Sequence, residues 1–222
     1  MPATTGRRNP TRWVGLNPED RRAERRTLLL DAGLELLGTE GWAGTTVRAV
    51  CQEARLNPRY FYESFADLDE LLLGVYDRLV EQLGAAVLAA IAEAGEDARG
   101  QVRAALQCIF AFIDGDPRRG RVLYVEALGS EALNRRRIET GHALVGLVEQ
   151  AGVERHGRPR PGERIGRLTA AILVGGTGEM VAAWLDGRLD GPREQLIDDA
   201  TELFLAMGDT AATIAASRAR RR

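Results

Sequence analysis

Residues 45–65 read TTVRAVCQEARLNPRYFYESF. Val47, Val50, Cys51 and Ala54 fall at i, i+3, i+4 and i+7, one apolar stripe, which predicts a helix over 47–54. Thr45 or Thr46 stands where an N-cap is needed. After a turn around Arg55–Asn57, the pair Asn57-Pro58 opens a second short helix reaching about Ser64. Asparagine caps well, and proline suits the first helical position, where its missing N–H costs nothing. Two such helices and a turn make a helix-turn-helix. Leu56, Phe61 and Phe65 are spaced to face inward, and Cys51 sits on the buried stripe as a small core residue. Arg59, Tyr60, Tyr62 and Glu63 are left pointing away. Two exposed tyrosines beside an arginine are costly as plain surface but sensible as a groove-reading face. A guanidinium forks onto guanine edges, and tyrosine hydroxyls bond phosphate oxygens.

Outward from this stretch the pattern stays helical. Alternating β-branched runs are rare, while Leu, Ala, Glu and Arg recur at helical spacing. Helices are expected over Glu19–Thr39, Asp67 to about Ala94, and near 97–114, 118–129 and 131–151. A loop follows at His156–Gly162, then helices over Glu163–Asp186 and Pro192–Ala216. Asp67 with Glu70 reads as a capping box. The tight link Gly187–Gly191 predicts that the last two helices pack antiparallel. The expected class is all-α.

Composition removes whole chemistries. All 30 basic residues among the 222 are arginine. A phosphate-binding Walker loop, a protein kinase and a pyridoxal-phosphate enzyme each need a lysine amine, for which a permanently protonated guanidinium is no substitute. All-arginine usage with abundant Ala and Gly also points to a GC-rich bacterial genome. Cys51 and Cys108 form no C-x-x-C pair, and His142 and His156 are too few for most histidine metal sites. No catalytic group, metal or cofactor is therefore expected. Residues 1–20 hold Arg7, Arg8, Arg12, Pro10 and Pro18 with no apolar centre, unlike a secretory leader. The longest apolar stretch, Leu168–Leu185, carries Glu179 and several glycines, so a buried or interface helix and a cytoplasmic protein are expected.

Charge is segregated. Residues 1–30 carry seven arginines against three acids, residues 66–217 carry 16 against 24, and residues 218–222 carry four and none. A basic head on an acidic body suggests that an anionic polymer meets one end. The divisions expected are an Arg-containing arm at 1–18, a helix-turn-helix domain at 19–66 with its motif at 46–65, a helical body at 67–217, and a basic tail at 218–222.

The quoted stretch is similar to the DNA-binding domain of the TetR/AcrR family of bacterial helix-turn-helix transcriptional regulators. Thr46-Val47, Val50-Cys51, Ala54, Leu56-Asn57, Phe61-Tyr62 and Phe65 occupy the places of that family's pattern. Ala32, Leu36, Gly41 and Trp42 match its first helix and its end, and specific matches cover roughly residues 21–75. The resemblance implies that Thr46 bonds a phosphate and that Arg48 reaches a phosphate or a base edge. It also implies a double-stranded DNA-binding set of Thr45, Thr46, Arg48, Asn57, Pro58, Arg59, Tyr60 and Tyr62. The chain departs from the pattern at Arg55, where the family's turn has glycine, and at Arg59, where glycine is frequent. Ser64 replaces the usual histidine or tyrosine, and Leu68 a phosphate-touching lysine that Arg7, Arg8 and Arg12 would replace.

The resemblance further implies a body that binds a small molecule and forms a homodimer. Residue character agrees. Ile165, Leu168, Ile172, Val181 and Leu185 line one late helix, and Leu196, Ala200, Leu203, Phe204 and Met207 the other. Gly175-Gly176-Thr177-Gly178 lets helices approach closely. A two-fold dimer with a four-helix interface would set two recognition helices ~34–36 Å apart, matching a near-palindromic operator. Candidate ligand contacts are Tyr76, Cys108, Phe112, Tyr124, Glu126, Glu179 and Trp184; each carboxylate would meet a ligand amine or an intersubunit arginine. The function expected is a repressor released from its operator by a small hydrophobic inducer. A DNA-binding regulator without a ligand and an all-helical enzyme are the alternatives.

Overall fold

The computed structural model describes residues 17–128, 130–157 and 164–221, and among them there are helices and turns but no strand. The first sixteen residues, with Arg7, Arg8 and Arg12, lie outside the described residues. So do 158–162 of the predicted loop, Glu163 at the predicted start of the next helix, Gly129 and Arg222.

Ten α-helices follow in order: α1 Pro18–Thr39, α2 Gly41–Gly44, α3 Val47–Glu53, α4 Pro58–Tyr62, α5 Leu68–Glu93, α6 Ala98–Asp114, α7 Pro117–Gly120, α8 Glu131–His156, α9 Ile165–Leu185 and α10 Arg193–Arg220. Side chains fix most of the starts. Asn17, Thr46, Asn57, Asp67, Asp97 and Ser130 each accept a backbone N–H from the first turn of the helix they precede. Each cap satisfies a donor that the helix cannot. At α5, Glu70 reaches back to the Ala66 N–H at 2.6 Å while Asp67 accepts from the Glu70 N–H at 2.8 Å.

Three expectations need correction. The predicted helix over 118–129 is α7 followed by a π-turn at Arg121–Val125 and a 3-10 turn at Glu126–Leu128. Close contact drives the irregularity. A Cβ on Gly120 would stand 2.7 Å from Ile113 Cγ2 and 3.0 Å from Leu185 Cδ1, so the chain threads between α6 and α9 only without a side chain there. The single turn α2 was not foreseen. The ends of α8 and α10 run past 151 and 216, to His156 and Arg220, so Arg218 and Arg220 of the tail belong to the last helix.

One apolar core fills the head and continues into the body. Leu29, Leu37, Val50, Cys51, Phe61 and Phe65 from α1, α3 and the α4 region join Leu71, Leu72 and Val75 of α5. Val122, Leu123, Ala127 and Leu133 belong to the same cluster. A second core joins Leu106, Phe110 and Ile113 of α6 to Val181 of α9 and Ile197 and Ala200 of α10. Tyr124, in the π-turn, packs against both. The expected division at residue 66 therefore marks a helix boundary, and the core crosses it.

The last helices leave apolar surface uncovered. Leu168, Ile172, Gly175, Gly176 and Glu179 are exposed along one side of α9, and Leu203 of α10 is 65% exposed. Among the described residues, nothing beyond the local turn of the helix comes within 4 Å of where Cβ atoms would stand at Gly175, Gly176 and Gly178. By length and composition alone, α9 is apolar enough to cross a membrane.

Candidate nucleic-acid interface

The site rests on how α4 is held. Asn57 Oδ1 accepts the Arg59 N–H at 2.9 Å, and Pro58 occupies the first turn. Phe61 and Phe65 are buried and anchor the helix from beneath, their rings 5.8 Å apart. Three arginines of α1 secure its far end. Arg22 Nη2 donates to the Glu63 carbonyl at 2.6 Å, and Arg26 Nη1 to the Ser64 carbonyl at 3.1 Å. Arg25 lies 4.5 Å above the Tyr60 ring and bonds the Glu63 carboxylate at 3.4 Å. Cations at a helix C-terminus satisfy orphan carbonyls and complement the dipole. The basic residues of α1 thus orient the recognition helix.

Most of the predicted residues share one exposed face. Arg59 is 82% exposed along its side chain and Tyr62 63% exposed. Thr46 and Asn57 are exposed as the caps of α3 and α4, Pro58 is exposed in the first turn of α4, and Arg48 is exposed on α3. Thr46 also caps α3, its Oγ1 accepting the Ala49 N–H at 3.1 Å. Tyr60 is half-buried beneath Arg25, leaving an edge on this face.

Thr45 is a correction. It is 3% exposed, and its hydroxyl donates to the Gly41 carbonyl at 2.8 Å, which closes the α2 turn. It supports the motif from inside and cannot touch DNA. Arg55 takes φ +54, the one non-glycine residue in the left-handed region among those described. The turn thus keeps the backbone that glycine would favour, with the attendant strain.

The residues proposed to meet a ligand divide into groups. Tyr76 is buried, hydrogen-bonded to Thr140 of α8, and electrostatically coupled to Tyr124. Burial pushes the Tyr124 hydroxyl up to about 12. Phe112, under the Arg119 guanidinium at 4.5 Å, packs against the same core as Tyr124. Trp184 meets Phe110 edge-on at 4.9 Å in the second core. Cys108 is half-buried on α6, and burial raises its thiol. Of these five, Tyr76 is interior and the other four are half-buried.

The two carboxylates are elsewhere. Glu179 is exposed on the outer side of α9, so it does not line the interior. Glu126 is a joint between body and head. Its Oε2 accepts the Trp42 N–H at 2.9 Å, and its Oε1 accepts from Arg121 Nε at 2.9 Å. Arg121 Nη1 reaches on to the Thr39 carbonyl at 2.8 Å. Beside it Arg118 bonds both Glu35 of α1 and Asp116, and this guanidinium holds the Asp116 carboxyl below its usual range. Sequence reasoning missed this joint, because its partners lie 84 positions apart.

An open cleft of about 370 Å³ runs between α5 and α8, lined by Asp77, Val80, Glu81, Arg136, Glu139, Thr140 and Ala143. Among the described residues, no group of three or more His, Cys, Asp or Glu side chains could hold a metal.

Head and body together define a class: a helix-turn-helix that presents a polar-aromatic face, carried on a helical body. Residues 29–75 match the family model of bacterial regulatory proteins, tetR family, so the head of this chain is similar to that family's N-terminal domain. Solved structures match over nearly the whole fold. The fatty acid degradation regulator FadR from Bacillus halodurans is 16% identical, with 82% of this chain and 94% of that one covered at TM-score 0.68. FadR from Bacillus subtilis, solved with stearoyl-CoA, is 16% identical, with 80% and 96% covered at 0.64. A TetR family transcription regulator from Marinobacter aquaeolei VT8 is 21% identical, with 85% and 97% covered at 0.61.

Proposed function

We propose that this protein is a ligand-responsive transcriptional regulator, a repressor that leaves a near-palindromic operator when a small hydrophobic molecule binds its body. The observation that carries the reading is the α4 face, where Arg59 and Tyr62 stand exposed on a helix fixed at both ends. A surface held that rigidly yet left exposed suits major-groove insertion. Thr46 and Arg48 would set the register on phosphates, and Asn57, Pro58, Arg59, Tyr60 and Tyr62 would form the recognition surface.

A two-fold dimer follows from the uncovered strip of α9 and α10. A second copy would cover Leu168, Ile172 and Leu203, and the open glycines allow close helix approach. That also accounts for the apolar character of α9 in a cytoplasmic protein.

The inducer would enter beside Tyr76, Cys108, Phe112, Tyr124 and Trp184. Four of these side chains are half-buried, so a ligand would meet them and move the helices to reach Tyr76, and the joint at Glu126 and Arg118 would carry that movement to α1. The acyl-CoA held by one FadR neighbour makes long-chain acyl compounds the first probes. Binding shifts the equilibrium only as far as the ligand prefers the released state. Fluorescence anisotropy on the DNA upstream of its own coding sequence tests the reading. Saturable, salt-sensitive binding that an acyl-CoA reverses is expected. Binding that no hydrophobic compound reverses would leave a regulator without a ligand, and absence of DNA binding would overturn the assignment.

A further inference from the structure

We propose that Glu63 is a positioning residue that aims Arg59 at a guanine and thereby sets base preference in each half-site. The inference rests on the DNA-binding reading above and adds a specificity device to it. Glu63 is an acid on a surface meant for a polyanion, which makes its presence a physical question. Its carboxylate is shared. Oε1 accepts from Arg59 Nε at 2.9 Å, one turn back on the same short helix, and Oε2 accepts from Arg25 Nη2 at 3.4 Å. Arg25 in turn is seated over the Tyr60 ring, with its side chain only 16% exposed. The row Arg25–Glu63–Arg59 therefore runs from a fixed cation to a mobile one. Two guanidinium groups against one carboxylate leave the row net positive, so phosphate attraction survives.

The point of attachment decides the consequence. Glu63 holds Arg59 by Nε, which leaves both Nη amino groups outward. That end-on fork is the pair that reaches O6 and N7 of guanine. An unheld arginine would sample many rotamers and meet phosphates as readily as bases. Held by Nε, it keeps one direction and loses less freedom on binding. The backbone of Glu63 already serves the helix end, its N–H donating to the Arg59 carbonyl and its carbonyl accepting from Arg22. Removing the carboxylate leaves both of those bonds in place.

The test is selection from duplexes with a randomised core of about two helical turns, using the full-length protein and its Glu63→Ala, Glu63→Gln and Arg59→Ala variants. Glu63→Gln keeps the side chain's size should the alanine variant misfold. The native protein should enrich a symmetric motif with one guanine that Arg59→Ala erases. Both Glu63 variants should weaken preference at that same position by about tenfold, leave the other positions intact, and bind unrelated duplexes at least as tightly, since an anion has gone. Melting temperatures close to the native value would separate this from a structural role. A native protein that enriches a motif whose guanine survives in both Glu63 variants overturns the role of Glu63 alone. Loss of preference at every position would do the same. A native protein that enriches nothing overturns the DNA-binding reading and the inference with it.

Discussion

At the residue scale, three side chains give sharp expectations. Arg55 sits at φ +54, where any Cβ is crowded. Arg55→Gly should raise stability by about 1 kcal/mol, seen as a melting temperature some 2–4 °C higher, while Arg55→Ala should gain nothing because its Cβ remains. Arg48 stands exposed on α3. If it meets phosphate, Arg48→Ala lowers affinity for all duplexes alike and flattens the slope of log affinity against log salt by about one unit. Tyr124 supplies a pH signature. Its folded-state value is about 12 against 10 for the free side chain. Stability from this group is complete below pH 10 and is lost as pH rises towards 12, because the unfolded chain gives up the proton first. Urea titrations across that window should show native protein losing roughly 2 kcal/mol more than Tyr124→Phe. Thr45 shows where residue-level reading stops. Adjacent threonines look equivalent in sequence, yet one caps α3 from outside while the other faces Gly41 within.

At the element scale, local chemistry made the long helices legible. Asn57 and Asp67 are short-range caps, and the stripe Val47–Ala54 needs no partner to be recognised. What escaped depends on neighbours far along the chain. The break at Arg121–Val125 arises where Gly120 is squeezed by Leu185 and Ile113, a contact no local window contains. Glu126 looked like a lone acid in an apolar run because Trp42, its partner, lies in another element. Glu126→Ala should therefore cost stability, about 1–3 kcal/mol for a charged acceptor lost to a part-buried N–H. Chemical denaturation checks the cost. If the proposed coupling runs through this joint, acyl-CoA should release DNA less effectively in the same variant.

At the scale of the whole molecule, apolar surface on α9 and α10 is the feature that a single chain leaves unexplained. Leu203, 65% exposed, is the most direct probe. Leu203→Glu should convert a dimer to a monomer in sedimentation velocity and weaken operator binding far more than binding to a half-site, because the two heads would no longer be linked. Unchanged mass in both proteins would remove the strip from the interface. Charge alone suggests a basic head and an acidic body, since arginines collect before residue 30 and acids after 66. The extent of the shared interior was not, because no sequence window relates Phe61 to Val122.

That shared interior governs how the protein melts. Leu71, Leu72, Val75, Val122 and Leu133 are as much part of the head's oil drop as Leu29 or Phe61. A gene fragment truncated after residue 66 would yield a chain lacking those walls, so it should be insoluble or molten however complete its motif. Scanning calorimetry of the intact protein should accordingly record one endotherm, with reader and sensor lost together.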